Sequence, residues 1–327
     1  MDPRLLHAAA HFAAGRLGEA AATYAAVARA NPMAFEALQR TVDCVAAMAR
    51  EAPLPPEPAT DQAPAAFASV AVVFCSIDAR KAERAKASLS AALAPARCAF
   101  HVVTDAKSLA EAFNRILDTV RGELVILCHD DIEILSTRAD LALADALSRA
   151  DIVGVAGSRQ VSGPAVLWSG HPHVHGWVSY PREGQWEAAV LSLQSGSVSG
   201  MQALDGVFIA MRGETAAGLR FDAQTFDGFH FYDLDFTYRA AMQGLRLAVT
   251  TDVLLVHASE GRFDDAWRRY AQRFQSKFPS LQAPAGKPHW YSARFDSLPR
   301  LGAFYEHLRA HAVREPAAVR PALGIES

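Results

Sequence analysis

The chain has 327 residues, of which 51% are hydrophobic and 20% are charged, and its formal net charge is −3. The apolar fraction is sufficient for a large buried core and excludes general disorder. The near-neutral charge argues against a nucleic-acid partner, because no domain-wide excess of basic residues is present to release counterions from phosphates.

The N-terminal segment predicts a small all-α module over residues 1–50. It is rich in alanine and places its apolar residues at helical spacing, with breaks at Gly15-Arg16 and Asn31-Pro32. The order Gly15, Ala20, Tyr24, Pro32 resembles a tetratricopeptide repeat, although an ordinary alanine-rich helical hairpin remains an alternative. A single repeat cannot bury its own apolar face, so we expect it to pack on the main domain or on a second copy of the chain.

A proline-rich segment separates this module from the rest of the chain. Residues 51–66 contain five prolines, which indicates a semi-rigid linker over residues 51–68. The linker predicts a domain boundary, followed by a main domain over residues 69–280. Residues 281–327 are less regular and indicate a C-terminal extension, with a final helix over residues 304–313.

The main domain begins with alternating strand and helix patterns. Short apolar runs predict strands over residues 69–75, 99–103, 123–128 and 152–156. Helical spacing predicts helices over residues 82–93, 108–120 and 138–149. Further on, strands are predicted over 202–211 and 247–256, and a helix over 233–243. Alternation of this kind predicts an α/β fold with a mostly parallel sheet, in which ligands bind at the carboxyl ends of the strands.

An acidic motif, His129-Asp130-Asp131, directly follows the strand predicted over residues 123–128. Two adjacent carboxylates at the end of a buried strand repel each other, and the loss of hydration raises their pKa, unless a cation or hydrogen-bond donors stabilise their charges. A divalent ion that bridges to substrate phosphates would relieve both effects. A solvated turn before a helix is the alternative.

A second motif crowds aromatic residues around Asp233 and Asp235, at the start of a helix. A carboxylate shielded by Phe and Tyr can have its pKa raised toward the range of a general base. Either carboxylate could instead cap the helix. His257 ends another apolar strand, and its imidazole would suit Mn²⁺ better than Mg²⁺, although a lone histidine at a strand end is more often structural.

Together these elements resemble the GT-A type of family-2-like glycosyltransferases, in a subgroup whose usual Asp-x-Asp motif reads HDD. The resemblance covers about residues 70–280. It rests on FCSID, AFNRIL, RGELVILCHDDI, VGVAGSR, LDGVFIAMR, FDGFHFYDLDFTYR and VHAS, in that order. It implies a Rossmann-like, mostly parallel central sheet flanked by helices. It also implies a hexosyltransferase-like, inverting enzyme that moves a sugar from a nucleotide-sugar co-substrate to an acceptor hydroxyl.

The resemblance also implies roles for particular residues. Asp131 and His257 would hold a divalent cation, Mn²⁺ or Mg²⁺. Asp233 would be the catalytic base, and Asp205 would lie near the transferred sugar or the acceptor. The donor would be bound by Ser76, Asp78, Asp105, Asn114 and Asp130. One departure is that His129 stands where the commoner motif has an acid, which leaves the identity of the metal open.

The segment 168–177 is interpreted as an acceptor loop, in which tryptophan faces stack on sugar rings. The alternative is a zinc site formed by His171, His173 and His175 on one face of a strand. The acceptor itself, whether glycan, lipid-linked or protein, is left open. Residues 1–50 are a candidate surface for a protein partner or for self-association.

Two other classes of function compete with this interpretation. A nucleotidyltransferase on a similar sheet is one, although the turn after the first strand has no glycine-rich phosphate loop. A catalytically inactive glycan- or protein-binding module is the other.

The predicted location is the cytoplasm, with peripheral attachment to the inner face of the membrane through partners left open. The N-terminus lacks the pattern of a signal peptide. The cysteines form no Cys-x-x-Cys pair and lie in apolar stretches, as expected of buried free thiols.

Overall fold

A computed structural model describes residues 2–54, 63–165, 169–259, 261, 263–283 and 290–315. The helices are α1 (Pro3–Ala13), α2 (Leu17–Ala30), α3 (Phe35–Glu51), α4 (Ala79–Leu93), α5 (Leu109–Leu117), α6 (Ala139–Leu147), α7 (Gly213–Ala217), α8 (Tyr232–Met242), α9 (Asp265–Lys277) and α10 (Leu298–His311). No helix within these residues is long and apolar enough to cross a membrane.

The strands alternate with these helices through the middle of the chain. They are β1 (Ser69–Cys75), β2 (Arg97–Val103), β3 (Leu124–Cys128), β4 (Ile132–Ile134), β5 (Ile152–Gly154), β6 (Ala156–Ser158), β7 (Val174–Arg182), β8 (Gln185–Val190), β9 (Gln194–Ser195), β10 (Ser197–Met201), β11 (Ala203–Leu204), β12 (Phe208–Arg212), β13 (Leu247–Thr250), β14 (Leu255–His257), β15 (Tyr291–Phe295) and β16 (Val313–Arg314).

The central sheet has the strand order β10-β13-β5-β12-β3-β1-β2. β1 is parallel to β2 and β3, and β5 is parallel to β13. β12 runs antiparallel between β3 and β5. Residues 70–74 of β1 are all apolar and buried, as is typical of a strand covered on both faces. Its residues Ala71 and Val73 face the core formed with α5 and α8, while Val70 and Val72 face the core formed with α4 and α6. The predicted α/β fold is confirmed.

A second sheet has the order β11-β6-β7-β14-β4, with β8 beside β7 and β15 beside β8. Two sequence predictions are wrong where the chain passes between the sheets. The strand predicted over 202–211 is two strands separated at Asp205-Gly206, because β11 pairs with β6 and β12 with β3. The strand predicted over 247–256 is likewise β13 in the central sheet and β14 in the second.

The N-terminal helices pack on the second sheet, as one of the two alternatives predicted. α3 lies against α10 and β15, and the shared core includes Val45 of α3, Trp177 of β7 and Phe304 of α10. The region beyond residue 280 therefore holds a strand and a helix that are buried with the N-terminal module. Residues 55–62 of the predicted linker and residues 284–289 and 316–327 of the predicted extension lie outside the described residues.

We expect Phe304→Ala to lower the free energy of unfolding by about 3–5 kcal/mol, because this ring is fully buried and its removal leaves a cavity. Phe12→Ala is the matched control. Its ring is 40% exposed, so the change should stay within about 0.5 kcal/mol. Urea unfolding of the full chain measures both values, and equal effects would show that α10 does not form part of the core.

Candidate active site

The candidate metal ligands are brought together by strand pairing. β3 ends at Cys128, and His129 and Asp131 follow it. β14 pairs antiparallel with β4, in a register that places His257 opposite Ile132. The backbone N–H of Ala258 also donates to the carbonyl oxygen of Asp131, at 2.9 Å. His257 therefore lies beside Asp131, although the two are far apart in the sequence.

The side chains of His129, Asp131 and His257 form a compact cluster. His257 Nε2 is 3.3 Å from Asp131 Oδ1 and 3.0 Å from His129 Nδ1. One ligand atom from each residue lies within 4.8 Å of the others. Among the described residues, no other set of three or more His, Cys, Asp or Glu side chains brings its ligand atoms this close together. Both side chains of the His257–Asp131 pair are nearly buried, with 12% and 7% of their surfaces exposed.

The protonation states of His129 and Asp131 suit a cation. Burial and the neighbouring His257 lower the pKa of His129 to about 4, so its imidazole is neutral near pH 7. Burial alone would raise the pKa of Asp131, but its hydrogen bonds to His257 and Ser259 hold the pKa below the usual range. Two imidazoles and one carboxylate fit a divalent transition cation better than Mg²⁺, which prefers oxygen ligands.

The catalytic-base candidate, Asp233, lies in the first turn of α8. Its Oδ2 accepts a hydrogen bond from the backbone N–H of Gly206, at 2.7 Å. Burial raises the pKa of Asp233 to about 7, and the nearby charge of Asp205 acts in the same direction. Asp205 accepts a hydrogen bond from the N–H of Val207, at 2.9 Å.

Neither acid of the Asp-x-Asp pair caps helix α8, so that alternative is wrong. The N-cap residue is Phe231, in the left-handed conformation and without a side-chain cap. Asp235 is fully buried and forms ion pairs with Arg239, at 2.8 Å, and with Lys277, at 2.6 Å. Asp235 is therefore a structural carboxylate.

A tyrosine joins the two halves of the site. Tyr232 Oη lies 3.1 Å from His129 Nε2 and 3.4 Å from the carbonyl oxygen of Gly206. Sequence reasoning missed Tyr232, and it noted His129 only as a departure from the usual motif. The position of His129 in the HDD motif was a usable signal for a third ligand, whereas nothing in the sequence distinguishes Tyr232 from the other aromatic residues around it.

Three residues predicted to bind the donor meet at the end of β1. Ser76 Oγ donates to Asp130 Oδ2, at 2.6 Å, and lies 3.0 Å from the carbonyl oxygen of Asp78. Asp78 also caps helix α4, because its side chain accepts hydrogen bonds from the N–H groups of Arg80 and Lys81. Their roles in binding stay predictions.

Two further predicted donor residues contact other parts of the chain. Asp105 forms an exposed ion pair with Arg115, at 2.7 Å. Asn114 is joined to the backbone of Phe221 through both of its amide atoms, at 2.8 Å each. Asn114 thus holds a loop to α5, and a role of either residue in the donor pocket stays a prediction.

The histidine-rich segment does not form the zinc site considered as an alternative. β7 begins at Val174, so His171 and His173 lie in a turn and only His175 lies on the strand. His175 is buried and pairs with Ser192 Oγ, at 3.0 Å. The proposed stacking of Trp177 on a sugar is wrong, because this residue is fully buried. Trp168 lies outside the described residues.

Comparison with known sequences identifies the family. The sequence profile described as the glycosyltransferase-like family matches residues 71–278, and the chain belongs to this family. The predicted class of enzyme, a glycosyltransferase, is thereby confirmed. Among curated proteins, no sequence matches the chain.

Solved structures with a similar fold include two glycosyltransferases. One is the mannosyltransferase PcManGT from Pyrobaculum calidifontis in complex with GDP-Man and Mn²⁺, which is 16% identical, with 88% of this chain and 81% of the other covered and a TM-score of 0.40. The other is GalNAc-T7 with UDP, GalNAc and Mn²⁺, which is 10% identical, with 76% of this chain and 55% of the other covered and a TM-score of 0.38.

We expect Gly206→Ala to destabilise the chain by about 1–3 kcal/mol, the usual cost of overpacking. A Cβ atom at this position would lie 2.8 Å from Asp233 Cβ and closer still to the Tyr232 hydroxyl. The control is Gly302→Ala in α10, where no atom lies within 4 Å of the added Cβ. Alanine there should stabilise the helix by about 0.5–1 kcal/mol. Thermal unfolding compares the two, and a neutral Gly206→Ala would contradict the close packing around Gly206.

Proposed function

We propose that the chain is a metal-dependent, inverting glycosyltransferase that moves a sugar from a nucleotide-sugar donor to an acceptor hydroxyl. One observation carries the proposal. The compact cluster of candidate metal ligands and a carboxylate of raised pKa are linked through Gly206 and its contacts with Tyr232 and Asp233. This is the arrangement that a transfer reaction needs, with one group for the leaving diphosphate and another for the incoming hydroxyl.

The donor would lie at the carboxyl ends of β1 and β3. Ser76 and Asp130 stand there, joined at 2.6 Å, and we propose that they contact the nucleoside part of the donor. His129, Asp131 and His257 would hold the cation beside it. A bound divalent cation would neutralise the charge that develops on the departing diphosphate.

Asp233 is proposed to accept the proton of the acceptor hydroxyl. Because the pKa of Asp233 is raised to about 7, the carboxylate is present near neutral pH and is also basic enough to remove a proton. As the acceptor oxygen bonds to the anomeric carbon, the bond from that carbon to the diphosphate breaks. A single displacement of this kind inverts the anomeric configuration. Asp205 is proposed to lie near the transferred sugar or the acceptor.

We expect Mn²⁺ with a nucleotide-sugar to raise the unfolding midpoint of the chain. A ligand at 100 times its Kd adds about 2.7 kcal/mol to the stability. Asp131→Ala should abolish the metal-dependent part of this shift, because the carboxylate of the cluster is lost. Asp43→Ala removes a carboxylate of α3, outside the site, and should keep the shift. The screen covers UDP-, GDP-, CDP- and dTDP-sugars. An unchanged shift in Asp131→Ala would exclude this cation site, and no shift with any donor would favour the inactive binding module.

We expect Asp233→Asn to lower kcat by about 10²- to 10⁴-fold, the usual contribution of a general base. Donor binding, measured by calorimetry, should remain. In the unsubstituted enzyme the activity should rise as the pH rises through about 7, because Asp233 accepts a proton only after it has lost its own. Near-normal turnover by Asp233→Asn would show that another group is the base.

Asp205→Asn tests the assignment of that pH limb. The negative charge of Asp205 helps to raise the pKa of Asp233, so its removal should lower that pKa. The rise of kcat/KM should therefore occur at lower pH in Asp205→Asn, whatever the variant's maximal rate. If kcat/KM rises at the same pH as in the unsubstituted enzyme, Asp205 does not raise the pKa of the base.

A further inference from the structure

We propose that Tyr232 is a positioning residue that orients His129 as a metal ligand and fixes it relative to the turn that carries Asp233. The inference rests on the proposed cation site. It adds a role for a side chain that binds neither the cation nor, in the proposed mechanism, either substrate.

The ring of Tyr232 is held in place by packing. Only 4% of the residue is exposed, and its ring centroid lies 5.8 Å from that of Phe113 and 6.0 Å from that of Phe221. A phenolic hydroxyl is protonated near neutral pH. The group that faces His129 is therefore a neutral hydroxyl with a fixed position.

The geometry supports one assignment of the hydrogen bonds. We assign the Tyr232 O–H as donor to the carbonyl oxygen of Gly206, at 3.4 Å, because that oxygen can only accept. With its proton used in this way, the Tyr232 oxygen accepts from His129 Nε2–H, at 3.1 Å. A neutral imidazole that is protonated on Nε2 carries its lone pair on Nδ1. That atom is the one 3.0 Å from His257 Nε2, inside the cluster. Tyr232 thus selects the tautomer of His129 that can bind a cation.

The same turn of helix α8 also fixes the position of the proposed base, Asp233. Tyr232 and Asp233 are consecutive, and they contact opposite sides of Gly206. The Tyr232 hydroxyl binds its carbonyl oxygen, and the Asp233 carboxylate binds its N–H at 2.7 Å. A shift of this turn would therefore move His129 and Asp233 together. Mutation of a residue that hydrogen-bonds to a metal-bound histidine typically lowers the metal affinity by about 10- to 100-fold.

The first experiment is a Mn²⁺ titration of the metal-free, full-length chain, with free Mn²⁺ measured by electron paramagnetic resonance and no donor present. Tyr232→Phe keeps the ring and deletes the hydroxyl, so we expect the Kd for Mn²⁺ to rise by about 10- to 100-fold. Tyr305→Phe is the matched control. Its hydroxyl is also buried and hydrogen-bonded, to Ser179 Oγ at 2.7 Å, but it lies in the core of the N-terminal helices, and the Kd should not change.

A wild-type Kd in Tyr232→Phe overturns the inference and leaves the cation site intact. Absence of Mn²⁺ binding by the unsubstituted chain overturns the cation site as well, so the two failures are distinguishable. A second measurement does not depend on any variant folding. ¹⁵N NMR of the metal-free chain should show His129 protonated on Nε2, and protonation on Nδ1 would overturn the inference.

Discussion

The site depends on a hydrogen-bonded chain that crosses the boundary between the two sheets. It runs from His257, at the end of a strand of the second sheet, through His129 at the end of β3, to Tyr232 and then to Gly206. Asp233 completes it from the other side of the same glycine. Each link fixes a donor or an acceptor, and the packing leaves no room for a Cβ atom at Gly206. The proposed cation site and the proposed base are in this way parts of one hydrogen-bonded unit.

Two carboxylates in one turn of helix α8 illustrate how environment assigns roles. Asp235 is fully buried and forms ion pairs with Arg239 and Lys277, so it serves the fold. Asp233 lies two residues earlier, and within the described residues no cationic side chain forms an ion pair with it. The charged side chain near Asp233 is another acid, Asp205. Burial and this negative charge both raise the pKa of Asp233. The paired carboxylate therefore has a structural role, and the unpaired one is the candidate for chemistry.

The N-terminal helices pack against the strand that carries His257. Val256 lies in the core shared with these helices, and the next residue, His257, lies in the cluster of candidate metal ligands. Side chains alternate along a strand, so the packing of one residue fixes the direction of the other. Strand β14 is thus one of the connections between the core of the N-terminal helices and α10 and the part of the chain that holds the candidate site. Binding of a partner or of a second copy through residues 1–50 stays a prediction.

The sequence by itself determined the α/β class, most of the strands and helices, and the cluster of acids and histidines at strand ends, because these follow from local periodicity and from where strands end. Tertiary structure decided what depends on distant partners. The chain changes sheets at Asp205-Gly206, Asp235 is neutralised by Lys277 from another helix, and Tyr232 meets His129 across 103 residues. Periodicity within a short segment carries no information about hydrogen bonds and ion pairs that form only when separate elements pack together.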